Sequence, residues 1–187
     1  MLNSVFWEKY AHVTFFFNSQ DDAPYEGEDR ILIPSPKVPS YDMKPKMSAY
    51  ELTDKLLNEI NKEKYEFILV NYPNPDLVGH SGNLEATIKA CEVVDECVGK
   101  VVSLALSKNY VIILTSDHGN AENMIDEQGR PDPSHGMNKV KFYLISKDED
   151  LMNVKLKENK GLKDIAPTIL KLMEIEKPKE MDGQPLF

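Results

Sequence analysis

The sequence predicts an α/β fold with a mostly parallel sheet, and three observations support this. Residues 110–116 form an apolar run without polar alternation, as expected of a strand that is buried on both faces. A long helical pattern and an earlier strand-like run precede it, and strand, helix and strand in this order form a right-handed unit with parallel strands. Asp117 and His118 follow the run directly. They therefore fall at the carboxyl end of a strand, where ligands bind in open α/β sheets.

The N-terminal part of the chain predicts one strand and one long loop. Residues 12–17 are β-branched and aromatic, which favours a strand with His12 as a satisfied core histidine. Residues 20–46 carry five prolines and no regular period, which predicts a loop that has a functional or covering role. Arg30 of this loop is expected to pair with its acidic neighbours in Gly27–Arg30 rather than with an anion.

Two amphipathic helices and a strand are predicted for the middle of the chain. Apolar residues recur every four positions after the capping-box pattern Ser48–Glu51, which predicts a helix over residues 49–61. Residues 65–72 form a second buried strand that ends at a proline. Apolar residues at steps of three and four then predict a helix from Leu84 to about Lys108.

The C-terminal part is predicted to add a strand and a helix. Residues 139–146 have the composition of a strand. A helix is expected to start at Asp164, with Pro167 in its first turn, where the missing N–H costs little. Pro178 is expected to end the regular structure.

Length and charge restrict the class of protein. A chain of 187 residues is sufficient for one good core, and its 22 basic and 31 acidic residues give a net charge of −9. This charge argues against nucleic acid or an anionic membrane as a partner. Neither a membrane-spanning stretch nor a signal peptide is apparent. Cys91 and Cys97 face different ways on one predicted helix, so no disulfide is expected and a cytoplasmic location is predicted.

Three segments carry residues that are typical metal ligands. Asp76 and His80 follow the predicted strand 65–72, Asp117 and His118 follow the strand 110–116, and His135 precedes the strand 139–146. Each group alone is consistent with loop caps and exposed histidines. Together they place three of the four histidines at sites that a parallel sheet would bring to one edge. Five such ligands suit two neighbouring ions, and two-metal sites serve phosphoryl transfer.

Lys9 is the other residue that could contact a phosphate. Its ammonium is a compact point charge. A solvated surface lysine is the alternative interpretation.

The motifs together resemble the cofactor-independent (2,3-bisphosphoglycerate-independent) phosphoglycerate mutases of the alkaline-phosphatase-like superfamily. The matching segments are residues 8–18, 27–30, 34–38, 47–51, 74–82, 116–122 and 164–168. The resemblance covers nearly the whole chain. It implies a three-layer αβα fold with a mostly parallel sheet, of which residues 1–187 would be the C-terminal portion.

The resemblance also implies roles for the candidate residues. Asp76, His80 and His135 would hold one manganese ion, Asp117 and His118 would hold a second, and Lys9 would contact the substrate phosphate. Enzymes of this family interconvert 3-phosphoglycerate and 2-phosphoglycerate, passing the phosphoryl group through a serine.

Two departures from the family pattern affect these expectations. The residues that follow His135 differ from the family's usual ones, so the contacts of this loop are expected to differ. The family's nucleophilic serine, one metal-binding aspartate and the substrate-gripping domain have no counterpart here; Ser81, Ser116 and Ser134 do not occupy the nucleophile's position. The isolated chain is therefore expected to be inactive, with an uncovered cleft that favours self-association.

Two other functions remain consistent with the residues. One is a compact metal-dependent phosphatase or phosphopentomutase-like enzyme that uses bound water in place of serine. The other is a non-catalytic module that binds metal or a partner chain.

Overall fold

The structure is a computed structural model that describes residues 1–132 and 134–187, with Phe6 and Trp7 described by their backbone alone. Pro133, in the loop before His135, lies outside the described residues. The strands are β1 (Leu2–Phe6), β2 (Asp29–Ile33), β3 (Ile68–Val70), β4 (Ile112–Thr115) and β5 (Phe142–Ile145). The helices are α1 (Tyr10–Val13), α2 (Ala49–Asn61), α3 (Asn74–Gly79), α4 (Leu84–Ser107), α5 (Glu149–Met152) and α6 (Ile165–Leu172). None of the helices in the described residues has the length and apolar content needed to cross a membrane.

The strands form two separate ladders. β1 lies between β2 and β3 and pairs with both in parallel, with Leu2 opposite Asp29 on one side and Ile68 on the other. β4 pairs with β5 in antiparallel orientation, with Ile112 opposite Ile145. The predicted α/β class with a parallel sheet is confirmed, and the antiparallel pair of β4 and β5 forms a separate ladder beside it.

Helices α2 and α4 supply the main core. The predicted period of four places Leu52, Leu56 and Ile60 of α2 on one face, and all three side chains are buried. Leu52 packs with Val93 and Cys97 of α4, and Leu56 and Ile60 pack with Leu2 of β1. The bounds predicted for α2 are confirmed, and α4 ends one residue before the predicted end. Cys91 and Cys97 are free thiols, as predicted.

The strand predicted for residues 12–17 is wrong. These residues form the end of α1 and a series of turns, in which Phe16 N donates to Ala11 O and Asn18 N donates to Thr14 O. His12 is exposed rather than in the core. Phe17 instead stacks on Phe67, just before β3, so a tertiary contact outweighs the β-propensity of the aromatic run.

The prediction of a loop throughout residues 20–46 is also wrong in part, because β2 lies within it. Arg30 of β2 pairs with Glu28, as predicted. The side chain of Ser48 does not cap α2; its hydroxyl donates to Pro34 O, the residue that follows β2. The strands predicted over residues 65–72, 110–116 and 139–146 exist, but each is shorter than predicted.

The parallel pairing predicted between the strands before and after α4 is not formed in the described residues, where β3 and β4 belong to different ladders. Hydrogen bonds nevertheless link the segments that flank the two strands, at both ends. Near their starts, Tyr110 Oη donates to Tyr65 O over 2.7 Å. Beyond their ends, Asn120 Nδ2 donates to Asp76 Oδ1 over 3.1 Å. Both carboxyl ends therefore point at the same edge of the molecule.

Candidate metal centre

Asp76 and His80 are positioned by the short helix α3, which follows β3. Asp76 lies in its first turn and His80 caps its end, with Pro75 at the start, where a missing N–H is tolerated. A spacing of four residues puts both side chains on one face of the helix. Asp76 Oδ1 accordingly lies 3.2 Å from His80 Nε2.

Two further imidazoles approach the same carboxylate oxygen. His135 Nε2 lies 3.3 Å and His118 Nε2 lies 4.0 Å from Asp76 Oδ1. The rings of His118 and His135 are stacked, with their centroids 3.6 Å apart, and the His80 and His135 centroids are 5.3 Å apart. The prediction that these three histidines gather at one edge is therefore confirmed.

One oxygen and two nitrogen donors are close enough to share an ion. Donor atoms of Asp76, His80 and His135 all lie within 4.8 Å of one another. Mixed imidazole and carboxylate donors suit a first-row divalent ion. The donor set therefore fits a metal at this position.

Asp117 lies at the edge of this cluster rather than at its centre. Its Oδ2 is 3.6 Å from His118 Nε2, and its side chain is 55% exposed. Asp117 and His118 line a cleft of about 150 Å³ between the ends of β3 and β4, together with Lys9, Tyr72 and Asp76. The carboxylate of Asp117 is thus open to a second ion or to a ligand in the cleft.

Lys9 contacts the centre directly. Its Nζ lies 2.8 Å from Asp76 Oδ2, and both side chains are largely buried. Burial by itself would raise the pKa of Asp76, but the hydrogen bond and charge of Lys9, with the charges of His80 and His118, lower it below its usual value. Lys9 therefore balances the negative charge of Asp76 and faces the cleft.

Two residues that the sequence interpretation did not single out complete the site. Asn120 is buried and contacts Asp76 and His80. Glu122 accepts a hydrogen bond from Asn120 N and another from Asn138 Nδ2, which links the loop after β4 to the loop of His135. Both residues lie in the segment 116–122 that carries Asp117 and His118, so their place in this motif could have identified them as site residues from the sequence.

The three serines near the site have their hydroxyl groups engaged elsewhere. Ser81 Oγ donates to Val78 O, Ser116 Oγ to His118 O, and Ser134 Oγ to Asp132 Oδ1. None of these bonds directs a serine oxygen at Asp76.

The fold and the site define a class of metal-dependent α/β enzyme. The metalloenzyme superfamily profile matches residues 5–177, and the chain belongs to this superfamily. The family and the ligand cluster together indicate a metal cofactor.

The relatives narrow the comparison to one kind of enzyme. The chain is 56% identical over 181 residues to a 2,3-bisphosphoglycerate-independent phosphoglycerate mutase of Acetivibrio thermocellus, and 53% identical to that of Clostridium botulinum (type A). Each alignment covers 96% of this chain, but only 34% and 35% of the two relatives. The aligned part is their C-terminal region.

A solved structure extends the similarity to three dimensions. A Leishmania mexicana phosphoglycerate mutase, crystallised at low cobalt concentration, superposes with a TM-score of 0.87 at 27% identity. The superposition covers 100% of this chain and 37% of that one. The chain therefore spans about a third of the length of the mutases it resembles.

Proposed function

We propose that this chain is the metal-binding portion of a 2,3-bisphosphoglycerate-independent phosphoglycerate mutase, with residues 1–187 forming part of its phosphatase-like domain. The observation that carries the proposal is the convergence of His80, His135 and His118 on Asp76 Oδ1, at 3.2, 3.3 and 4.0 Å. In the complete enzyme the substrate would be phosphoglycerate, in keeping with the names of the relatives.

The proposal assigns the donors to two ions. Asp76, His80 and His135 would hold one divalent ion, with manganese as the proposed metal. Asp117 and His118 would contribute to a second ion, which the exposure of Asp117 makes the weaker of the two. A bound divalent ion would supply charge stabilisation for a phosphoryl group during its transfer.

Lys9 has a separate role in the proposal. Its ammonium already faces the cleft beside Asp76. A phosphate in that cleft would be contacted by this point charge, which strengthens substrate binding without taking part in the bond changes.

Metal titration tests the assignment. Isothermal titration of the purified chain with Mn²⁺ is expected to show a saturable site that Asp76→Asn and His135→Ala each weaken at least tenfold. Asp95→Asn is the matched control, because Asp95 is an exposed carboxylate on α4 and lies outside the ligand cluster. Equal affinity in the Asp76→Asn variant would refute the assignment.

The isolated chain is proposed to lack mutase activity. Supporting this, the hydroxyl groups of the nearby serines donate to other acceptors. The chain with Mn²⁺ is expected to leave 3-phosphoglycerate unchanged in a coupled assay. Conversion to 2-phosphoglycerate would refute the proposal that the isolated chain is inactive.

A second candidate function is binding of a partner strand, and the open edges of β3 and β4 favour it. Phe67 O accepts a hydrogen bond from β1, and Asn71 N donates one to β1. Alternate residues of a parallel strand direct their backbone groups to opposite sides, so those of Ile68 and Val70 point away from β1. In the described residues, β1 is the sheet neighbour of β3, and β5 is that of β4. An extended apolar segment parallel to β3 would satisfy the open edge.

Self-association of the isolated chain tests this second candidate. Sedimentation across a dilution series is expected to reveal a dimer at high concentration that Val111→Lys weakens, because Val111 is exposed and directly precedes β4. Ile88→Lys is the control, since Ile88 is an exposed apolar residue on α4. A strict monomer at every concentration would exclude association through these edges.

A further inference from the structure

Asn120 is a buried side chain that contacts two of the clustered ligands. It is 5% exposed, its Nδ2 donates to Asp76 Oδ1 over 3.1 Å, and the same nitrogen lies 3.3 Å from His80 Nδ1. Asn120 follows His118 by two residues, whereas Asp76 lies in α3 and His80 caps the end of that helix. The amide therefore connects the loop after β4 to the helix that carries the two ligands.

The other end of the Asn120 amide indicates what the residue is for. Its Oδ1 is buried and has no hydrogen-bond partner in the described residues. A buried carbonyl without a donor lowers stability, whereas an apolar side chain of similar shape would avoid this cost. The contribution that offsets it is the pair of contacts made by Nδ2.

Gly79 makes the space that the amide occupies. A Cβ at this position would lie 2.2 Å from Asn120 Oδ1 and 3.2 Å from its Cγ. Gly79 is part of α3, between Asp76 and His80, and alanine is favoured over glycine by helix propensity. The absence of a side chain at Gly79 therefore leaves room for Asn120 to approach α3, and it does not stabilise the helix.

We propose that Asn120 is a positioning residue that holds the Asp76 carboxylate and the His80 ring in the arrangement that binds metal, and that Gly79 belongs to the same device. The inference rests on the proposed metal site. Hydrogen-bonded partners of metal ligands commonly change metal affinity by about 10- to 100-fold when they are removed. Neither residue needs to touch the ion for this effect.

Cobalt provides the test, because its visible spectrum reports the arrangement of its ligands. The purified chain is titrated with Co²⁺, and both affinity and the absorption spectrum are recorded. Asn120→Ala is expected to weaken Co²⁺ binding about tenfold or more and to change the spectrum. Asn18→Ala is the matched control: Asn18 is also buried and also donates to a carboxylate, that of Glu28, away from the ligand cluster.

Gly79→Ala separates positioning from packing. This variant keeps every ligand and Asn120, but its methyl group is expected to displace the amide and to weaken Co²⁺ binding with a spectral change like that of Asn120→Ala. In the Asn120→Ala background there is no amide to displace, so adding Gly79→Ala is expected to change affinity little. Such non-additivity is the signature of two residues that act through one contact.

The outcomes distinguish this inference from the function on which it rests. A wild-type chain that takes up no Co²⁺ would overturn the proposed metal site and the inference with it. Wild-type binding that is matched in affinity and spectrum by Asn120→Ala would overturn the inference alone. Effects of Gly79→Ala and Asn120→Ala that simply add would also contradict it.

Discussion

At the scale of single residues, Asp76 determines the chemistry of the site. Its Oδ1 faces the imidazoles and its Oδ2 faces Lys9, so one carboxylate contacts both proposed ligands and the residue proposed to contact phosphate. The amino-acid types and the strand ends that carry them were sufficient to predict this gathering. The Lys9–Asp76 ion pair was not predictable, because 67 residues separate its members.

Replacing Lys9 is expected to change the affinities for metal and for phosphate in opposite directions. Lys9→Met removes a positive charge 2.8 Å from Asp76 Oδ2, so Mn²⁺ should bind more tightly by about fivefold, for a charge effect of about 1 kcal/mol. Binding of inorganic phosphate to the Mn²⁺-loaded chain should weaken. Calorimetric titration measures both, with the exposed Lys89→Met as control. Metal affinity that falls in Lys9→Met would contradict the assignment.

Glu28 is a buried carboxylate whose ionisation contributes to the stability of the fold. Its carboxylate is fully buried. The donors to it are Asn3 Nδ2, Asn18 Nδ2, Tyr25 N and Arg30 Nε. Burial alone would raise the pKa of Glu28, but these hydrogen bonds, led by that of Arg30, lower it to about 2.

The stability that Glu28 contributes should depend on pH in a defined window. Its folded pKa of about 2 lies below the unfolded value of 4.5, so the contribution is complete above pH 4.5 and is lost as the pH falls towards 2. Glu28→Gln should lower the free energy of unfolding at pH 7 by about 2 kcal/mol. The free energy of unfolding should also fall less steeply between pH 4.5 and pH 2 in this variant than in the wild type. Urea unfolding at pH 7 and pH 3 measures this, with the exposed Glu26→Gln as control. A wild-type decline that persists unchanged in Glu28→Gln would count against this explanation.

At the scale of elements, the long helices α2 and α4 were predictable, whereas the strands β1 and β2 were not. The spacing of apolar residues in α2 and α4 is local information, and it fixed their bounds to within one residue. β1 escaped prediction because it contains Asn3 and Ser4, polar residues that are nevertheless buried. Asn3 is tolerated there because it donates to Glu28, 25 positions along the chain. Such a partner is invisible in a local pattern.

The C-terminal tail shows how a segment without regular structure is held in place. Gln184 N donates to Asp164 Oδ1, and Leu186 N donates to Thr168 Oγ1 of α6. Gly183 lies so close to α6 that an added Cβ would fall within 3.0 Å of Pro167 and still closer to the backbone of Lys163. The tail therefore depends on a glycine at this position.

Gly183→Ala is expected to release the tail from α6. The clash is with backbone, which cannot move aside as a side chain can, so the variant should lose about 1–3 kcal/mol of stability. Amide hydrogen exchange should show faster exchange at Gln184 and Leu186. Gly161→Ala is the control, because a Cβ there meets nothing within 4 Å. Unchanged protection of Leu186 in Gly183→Ala would contradict this account of the tail.

At the scale of the whole molecule, the site lies at the edge where β3 of one ladder and β4 of the other both end. Asp76 and His80 follow β3, and Asp117 and His118 follow β4, yet in the described residues these strands are not paired with each other. The sequence correctly indicated that both strands point at one edge, because strand ends and metal-ligand residues coincide along the chain. It could not indicate the missing pairing, since strand neighbours depend on contacts between distant segments. The convergence of the four side chains depends on α3 and the loop after β4 rather than on a shared ladder.

Asp76, His80 and His135 are proposed to hold a divalent ion, and anomalous diffraction from crystals soaked in Mn²⁺ would locate that ion. An anomalous peak is expected at bonding distance, about 2.0–2.3 Å, from Asp76 Oδ1 and from a ring nitrogen of each histidine. Crystals that show no peak there, with the Lys9–Asp76 ion pair intact, would refute the proposed metal site.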